Sequence, residues 1–164
     1  MNAVGALFLI GAGLLAGILG VKSIRLRADR ARKLVNLVEL IRFEIERFKT
    51  PLPALFSELS GRTDGISAEL CGRVFLAMQQ EDVIFREAWS FACAILTEPE
   101  RRILLPLGSV LGRYGAGEQT AALDSALSEM RRYSQRLGDG IREETRLWLG
   151  LSVACGLMAA VLLW

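Results

Sequence analysis

Charge is absent from both ends of this chain and dense between them. All 38 acidic and basic residues of the 164-residue chain lie between Lys22 and Arg146, so segments 1–21 and 147–164 carry none. The middle is roughly 30% charged, as a soluble domain's surface is, whereas the ends have the composition of bilayer segments. This layout argues against a fully soluble globule and equally against a polytopic transporter. It predicts three parts: an anchor over 3–21, a cytoplasmic helical bundle over 22–146 and a second transmembrane helix over 147–164.

The first run, Ala3–Val21, has 19 residues, about 28 Å as a helix, close to the thickness of a hydrocarbon core. Its basic cluster, Lys22, Arg25, Arg27, Arg30, Arg32 and Lys33, follows the run, whereas a secretory signal peptide carries basic residues ahead of it. An uncleaved anchor is therefore expected, with the N-terminus outside and the basic side retained in the cytoplasm. The second run, Leu147–Trp164, has Arg142 and Arg146 before it and is expected to leave the C-terminus outside as well. Trp148 and Trp164 are about 24 Å apart along a helix, which suits one indole at each interface. A buried core helix is the other reading of this run, but such a helix normally keeps a polar face. Gly13 and Gly17, and Ser152, Gly156 and Ala160, have the small-residue spacing that lets helices approach closely in lipid.

Within the middle, apolar residues recur with helical period and alternation is nowhere sustained, so the class is all-α: an antiparallel helical bundle flanked by two transmembrane helices. Leu34, Val38, Ile41, Ile45 and Phe48 form one stripe continuing from the anchor. Thr50 is expected to cap, and Pro51 to open, a short helix over Leu52–Leu59 that stops at Ser60-Gly61. Ile66–Gln79 follows, with Leu70, Val74 and Met78 inward, then a helix capped by Asp82 that buries Phe85, Trp89, Ala92 and Leu96. Thr97-Glu98-Pro99-Glu100 is a capping box with Pro in the first turn, opening a helix lined by Ile103, Leu107 and Val110 and ended by Gly112. From Glu118 a long helix runs through Leu123, Leu127, Met130, Leu137 and Ile141 into the second span.

The chain has no His, which removes His-based acid–base catalysis, Ser–His triads and most zinc sites. Its three Cys, at 71, 93 and 155, form no CxxC. Gly112–Gly117 lacks the preceding strand and the Gly-Lys-Ser/Thr of a phosphate loop, and is expected to be a helix–helix turn. Glu81-Asp82 and Glu143-Glu144 have no polar partners in pattern and are expected to be solvated or capping groups. No catalytic, cofactor-binding or metal-binding residue is expected, and the chain is read as a non-enzyme. Net charge is +5 over residues 22–49, −5 over 50–130 and +2 over 131–146. The membrane accounts for the basic part, and no basic patch interleaved with aromatics points to nucleic acid. The acidic distal body could dock a basic partner, with Glu98 and Glu100 as the candidate binding residues.

Several motifs occur together in order. Glu44-Ile45-Glu46-Arg47-Phe48-Lys49-Thr50-Pro51-Leu52-Pro53-Ala54-Leu55 resembles the E-x-E helix end and T-P-L-P of the stage III sporulation protein AB family. Arg86-Glu87-Ala88-Trp89 resembles its E-A-W helix, Glu98–Gly112 its I-L-x-x-L-G-x-x-L-G segment, and Glu118-Gln119 the acid–Gln pair opening its last helix. Two departures stand out: Lys49, where the family commonly has Gly, and Arg113–Gly117, where its loop is Ser-Asp-rich. The resemblance implies a component of the channel linking mother cell and forespore, in the mother-cell membrane around the forespore. It also implies a cytoplasmic bundle similar to the platform protein of type II secretion and type IV pilus machines. The implied partners are a secretion-type ATPase, stage III sporulation protein AA, and other channel components, with homo-oligomerisation possible. A small pore-forming or holin-like protein is the alternative, although polar residues within the spans are few.

Overall fold

The computed structural model describes the backbone of residues 2–48 and 50–162 and the side chains of residues 25–48 and 50–140. Among the described residues there are six α-helices and no strand: α1 (Asn2–Arg47), α2 (Leu52–Arg62), α3 (Ile66–Met78), α4 (Phe85–Ala92), α5 (Glu98–Leu104) and α6 (Ala116–Leu162). Tighter 3-10 turns follow α4 at Cys93–Ile95 and α5 at Leu105–Ser109. The chain divides into a unit over 30–134 and a second unit of 1–29 with 135–164. Side chains of the expected spans, 3–21 and 147–164, lie outside the described residues, as do Lys49 and the side chains of Ile141, Glu143, Glu144 and Cys155. No helix among the described residues is long and apolar enough to cross a membrane.

The 30–134 unit is built around α1. Leu34, Val38, Ile41 and Ile45 are buried, and Ala31 and Leu37 widen the stripe. Phe48 instead is exposed, because α1 stops at Arg47 and the chain turns towards Pro51, whose ring disfavours helix at the residue before it. α1 and α6 run antiparallel: Glu39 pairs with Arg131, and Arg42 Nε lies 2.6 Å from Asp124. The Arg42 N–H is not aligned for a hydrogen bond there, so that contact is coulombic.

Several helix ends differ from expectation for definable reasons. Pro51, not Thr50, occupies the cap of α2, and its carbonyl accepts from Leu55 N at 3.0 Å. α2 continues through Gly61, which keeps ordinary helical handedness; the left-handed residue that redirects the chain is Gly65, φ +58°. Ile84, not Asp82, caps α4; Asp82 has φ +68° and turns the loop, a conformation Asp tolerates better than most. After α5, Pro106 removes an N–H and the backbone tightens to 3-10, so Leu104, Leu107 and Leu111 are buried while Ile103 and Val110 are only half-buried. The 3-10 turn stops at Ser109, short of the expected Gly112, which with φ +77° redirects the chain in the turn that follows.

Trp89 holds the distal half together. Its ring lies 5.8 Å from both Phe56 of α2 and Phe85 of α4, and its indole N–H donates to Leu104 O at 2.9 Å. Gly108 packs so closely that a Cβ there would stand 2.6 Å from Trp89 Cδ1. Burial of Leu123, Leu127 and Met130 on α6 completes the core, and Leu137 is half-buried.

Candidate docking surface

The first turn of α5 carries both carboxylates that the sequence singles out. The capping box forms: Glu100, three residues into the turn, folds back to accept from Thr97 N at 2.9 Å. The same Glu100 oxygen accepts from Arg30 Nε at 3.2 Å, and Arg30 Nη2 donates to Ile95 O at 2.7 Å. Glu100 is 1% exposed. It therefore fastens α5 and the preceding turn to α1 and presents no carboxylate to a partner. Glu98 is different, with a side chain 66% exposed and only a local pair to Arg101 at 3.1 Å.

Many other acids of the distal body are also matched within the fold. Glu58 pairs with Arg62 at 2.6 Å, Glu69 with Arg73 at 2.9 Å and Asp64 with Lys33 at 2.6 Å. The Lys33 hydrogen bond holds the Asp64 carboxyl below the usual carboxylate range, and Glu58 raises the Arg62 guanidinium above its own. Within residues 50–130, the acids that make no ion pair among the described residues are Glu81, Asp82, Glu87, Glu118 and Glu129. Three of these cluster in 81–87, beside the exposed Ile84 and Phe91. The net −5 of this region thus resolves into surface ion pairs, the buried Glu100 held by Arg30, and unpaired acids of which three lie at the approach to α4 and its first turn.

The remaining candidates for chemistry are structural. Cys71 and Cys93 are buried, which pushes both thiols up to about 12 and keeps them from acting as thiolates. The glycine-rich stretch 112–117 is the turn into α6, where Gln119 Nε2 donates to Tyr114 O at 2.6 Å. No cluster of His, Cys, Asp and Glu that could hold a metal occurs among the described residues.

The chain matches the family of stage III sporulation protein AB over residues 2–164. It belongs to that family. A solved structure of a stage III sporulation protein AB is similar to the chain with a TM-score of 0.63 and 16% identity, covering 69% of this chain and 94% of that one. At that identity the likeness is one of fold. No curated protein matches the chain. A stage III sporulation protein is thus built here as an all-helical bundle whose basic residue Arg30, in the cluster that pattern alone gives to membrane topology, is also a structural ion-pair partner. Pattern alone also misses the exposed apolar residues Phe43, Phe48, Ile84 and Phe91. Phe91 was legible in principle: it lies one helical turn after Glu87, off the stripe that buries Trp89 and Ala92 and half-buries Phe85.

Proposed function

We propose that this stage III sporulation protein AB is a non-enzymatic platform and assembly component of the channel between mother cell and forespore. In this reading the charge-free ends anchor it in the mother-cell membrane, both termini lie outside, and the bundle couples a cytoplasmic ATPase, stage III sporulation protein AA, to the membrane complex. The observation that carries the reading is the family match from residue 2 to residue 164, which takes in both charge-free ends as well as the bundle. Supporting it is a surface organised for contact: Glu100 is held inside by Arg30, while Glu98 and the 81–87 carboxylates face solvent.

The test is photocrosslinking in sporulating cells from probes placed at exposed positions of α4, α5 and the start of α6, with mass-spectrometric identification of what is captured. The reading expects the ATPase among the products. Capture of other channel subunits only, with the ATPase absent from every probe position, would remove the coupling role.

A further inference from the structure

Two exposed patches on the 30–134 unit carry uncompensated charge of opposite sign. At the end of α1, Phe43 and Phe48 stand with ring centroids 6.0 Å apart, edge to face, and the Arg47 guanidinium lies 5.2 Å from the Phe43 ring. Among the described residues Arg47 makes no ion pair, whereas Arg42 and Arg62 are each held by two carboxylates. On the other patch, Ile84 and Phe91 are exposed and Glu81, Asp82 and Glu87 make no ion pair; Arg86, also unpaired, offsets one of the three. Glu87 and Phe91 are one turn apart on α4 and share a face, while Ala88, Trp89 and Ala92 fill the core from the other side.

A single exposed apolar side chain is ordinary. Two aromatic or aliphatic pairs, each beside free charge, are the materials of an interface: apolar anchors that lose water, and charges that set orientation. The signs are complementary and both patches belong to one chain. We propose that the α1 end of one copy docks on the α4 face of a second copy, with Phe43 and Phe48 against Ile84 and Phe91 and Arg47 against Glu87. Two different patches meet, so copies can pair reciprocally about a two-fold axis or join head to tail. A head-to-tail contact repeats from copy to copy and closes into a ring or runs as a row. This arrangement does not depend on the ATPase reading.

The experiment uses the full-length chain in its membrane. Two differently tagged versions, one Phe48→Cys and one Phe91→Cys, both carrying Cys155→Ala, are co-expressed and oxidised; Cys71 and Cys93 are buried and stay out of the reaction. Disulfide-linked products containing both tags are expected. In detergent, Arg47→Glu and Glu87→Arg should each weaken self-association by roughly tenfold or more, through like-charge contact, and the two changes in one chain should restore it. Each change is on the surface but reverses a charge that suits its helix end, so the thermal melt should fall by no more than a few degrees. Crosslinks confined to like positions, or self-association indifferent to both reversals, would overturn the proposal, and the patches would then belong to a different partner.

Discussion

Glu98 and Glu100 stand two positions apart in one turn and do opposite work. Glu100 sits at the third helical position, where a carboxylate reaches back to the cap, and Arg30 neutralises it from α1. Removing one member of a fully buried pair costs ~3–5 kcal/mol; here the Arg30 side chain is 30% exposed, which lowers the expected loss from Glu100→Ala to about 2–3 kcal/mol. Glu98→Ala should change stability by less than about 0.5 kcal/mol, since it breaks only an exposed pair. Denaturant melts of the two variants check the difference; equal losses would mean that the Arg30 link contributes nothing. The buried thiols give a second residue-scale expectation. With both held up to about 12, Cys71 and Cys93 should resist alkylation at neutral pH in the folded protein and react on unfolding. Mass spectrometry after a short pulse of iodoacetamide reads this directly.

At the scale of elements, α4 is held by one side chain and one close approach. Trp89→Ala should cost ~3–5 kcal/mol, because it empties the site shared with Phe56 and Phe85 and leaves the Leu104 carbonyl without its donor. Gly108→Ala should cost about 1–3 kcal/mol for the opposite reason: its methyl would enter the Trp89 ring, which the Leu104 bond keeps from yielding. Thermal unfolding of both variants checks the pair, and an unchanged Gly108→Ala melt would show that the ring can move. The stripes of α1 up to Ile45, of α3 and of α6, and the Thr97–Glu100 start, were legible in the sequence because helical period and capping chemistry act over a few residues; the register after α5 was not, because Pro106 tightens the backbone there. The ends of α2 and α4 were not. Whether Gly61 or Gly65 turns the chain, and whether Asp82 or Ile84 caps α4, is decided by what the next helix packs against. The same is true of Glu100: its cap role was written locally, but its burial depends on Arg30, 70 positions away.

At the scale of the whole molecule, the distribution of charge makes two claims that experiment can separate. The first is topology. In the topology proposed above, the basic clusters at Lys22–Lys33 and Arg131–Arg146 would keep the bundle on the cytoplasmic side, so a cysteine introduced near Asn2 should react with an impermeant reagent in intact cells, whereas one at Gly117 should not. Labelling at Gly117 alone would invert the arrangement. The second concerns how the bundle holds an ATPase, if the coupling role proposed above is correct. With Glu100 committed to the interior, the carboxylate of α5 able to meet a partner is Glu98, whose only bond is to Arg101. Glu98→Lys should therefore leave the melting temperature nearly unchanged and weaken capture of stage III sporulation protein AA by about tenfold, as a like-charge contact at a docking rim does. Capture by the unaltered chain should also fall as salt rises, since exposed charges are screened beyond about 8–10 Å at physiological ionic strength. Pull-downs across a salt series, run with Glu98→Lys, Glu98→Gln and the unaltered chain, separate the two effects: Gln should lie between the others and flatten the salt response. Capture indifferent to both substitutions and to salt would move the contact off the acidic face, to the basic stretch of α1 or to an apolar surface.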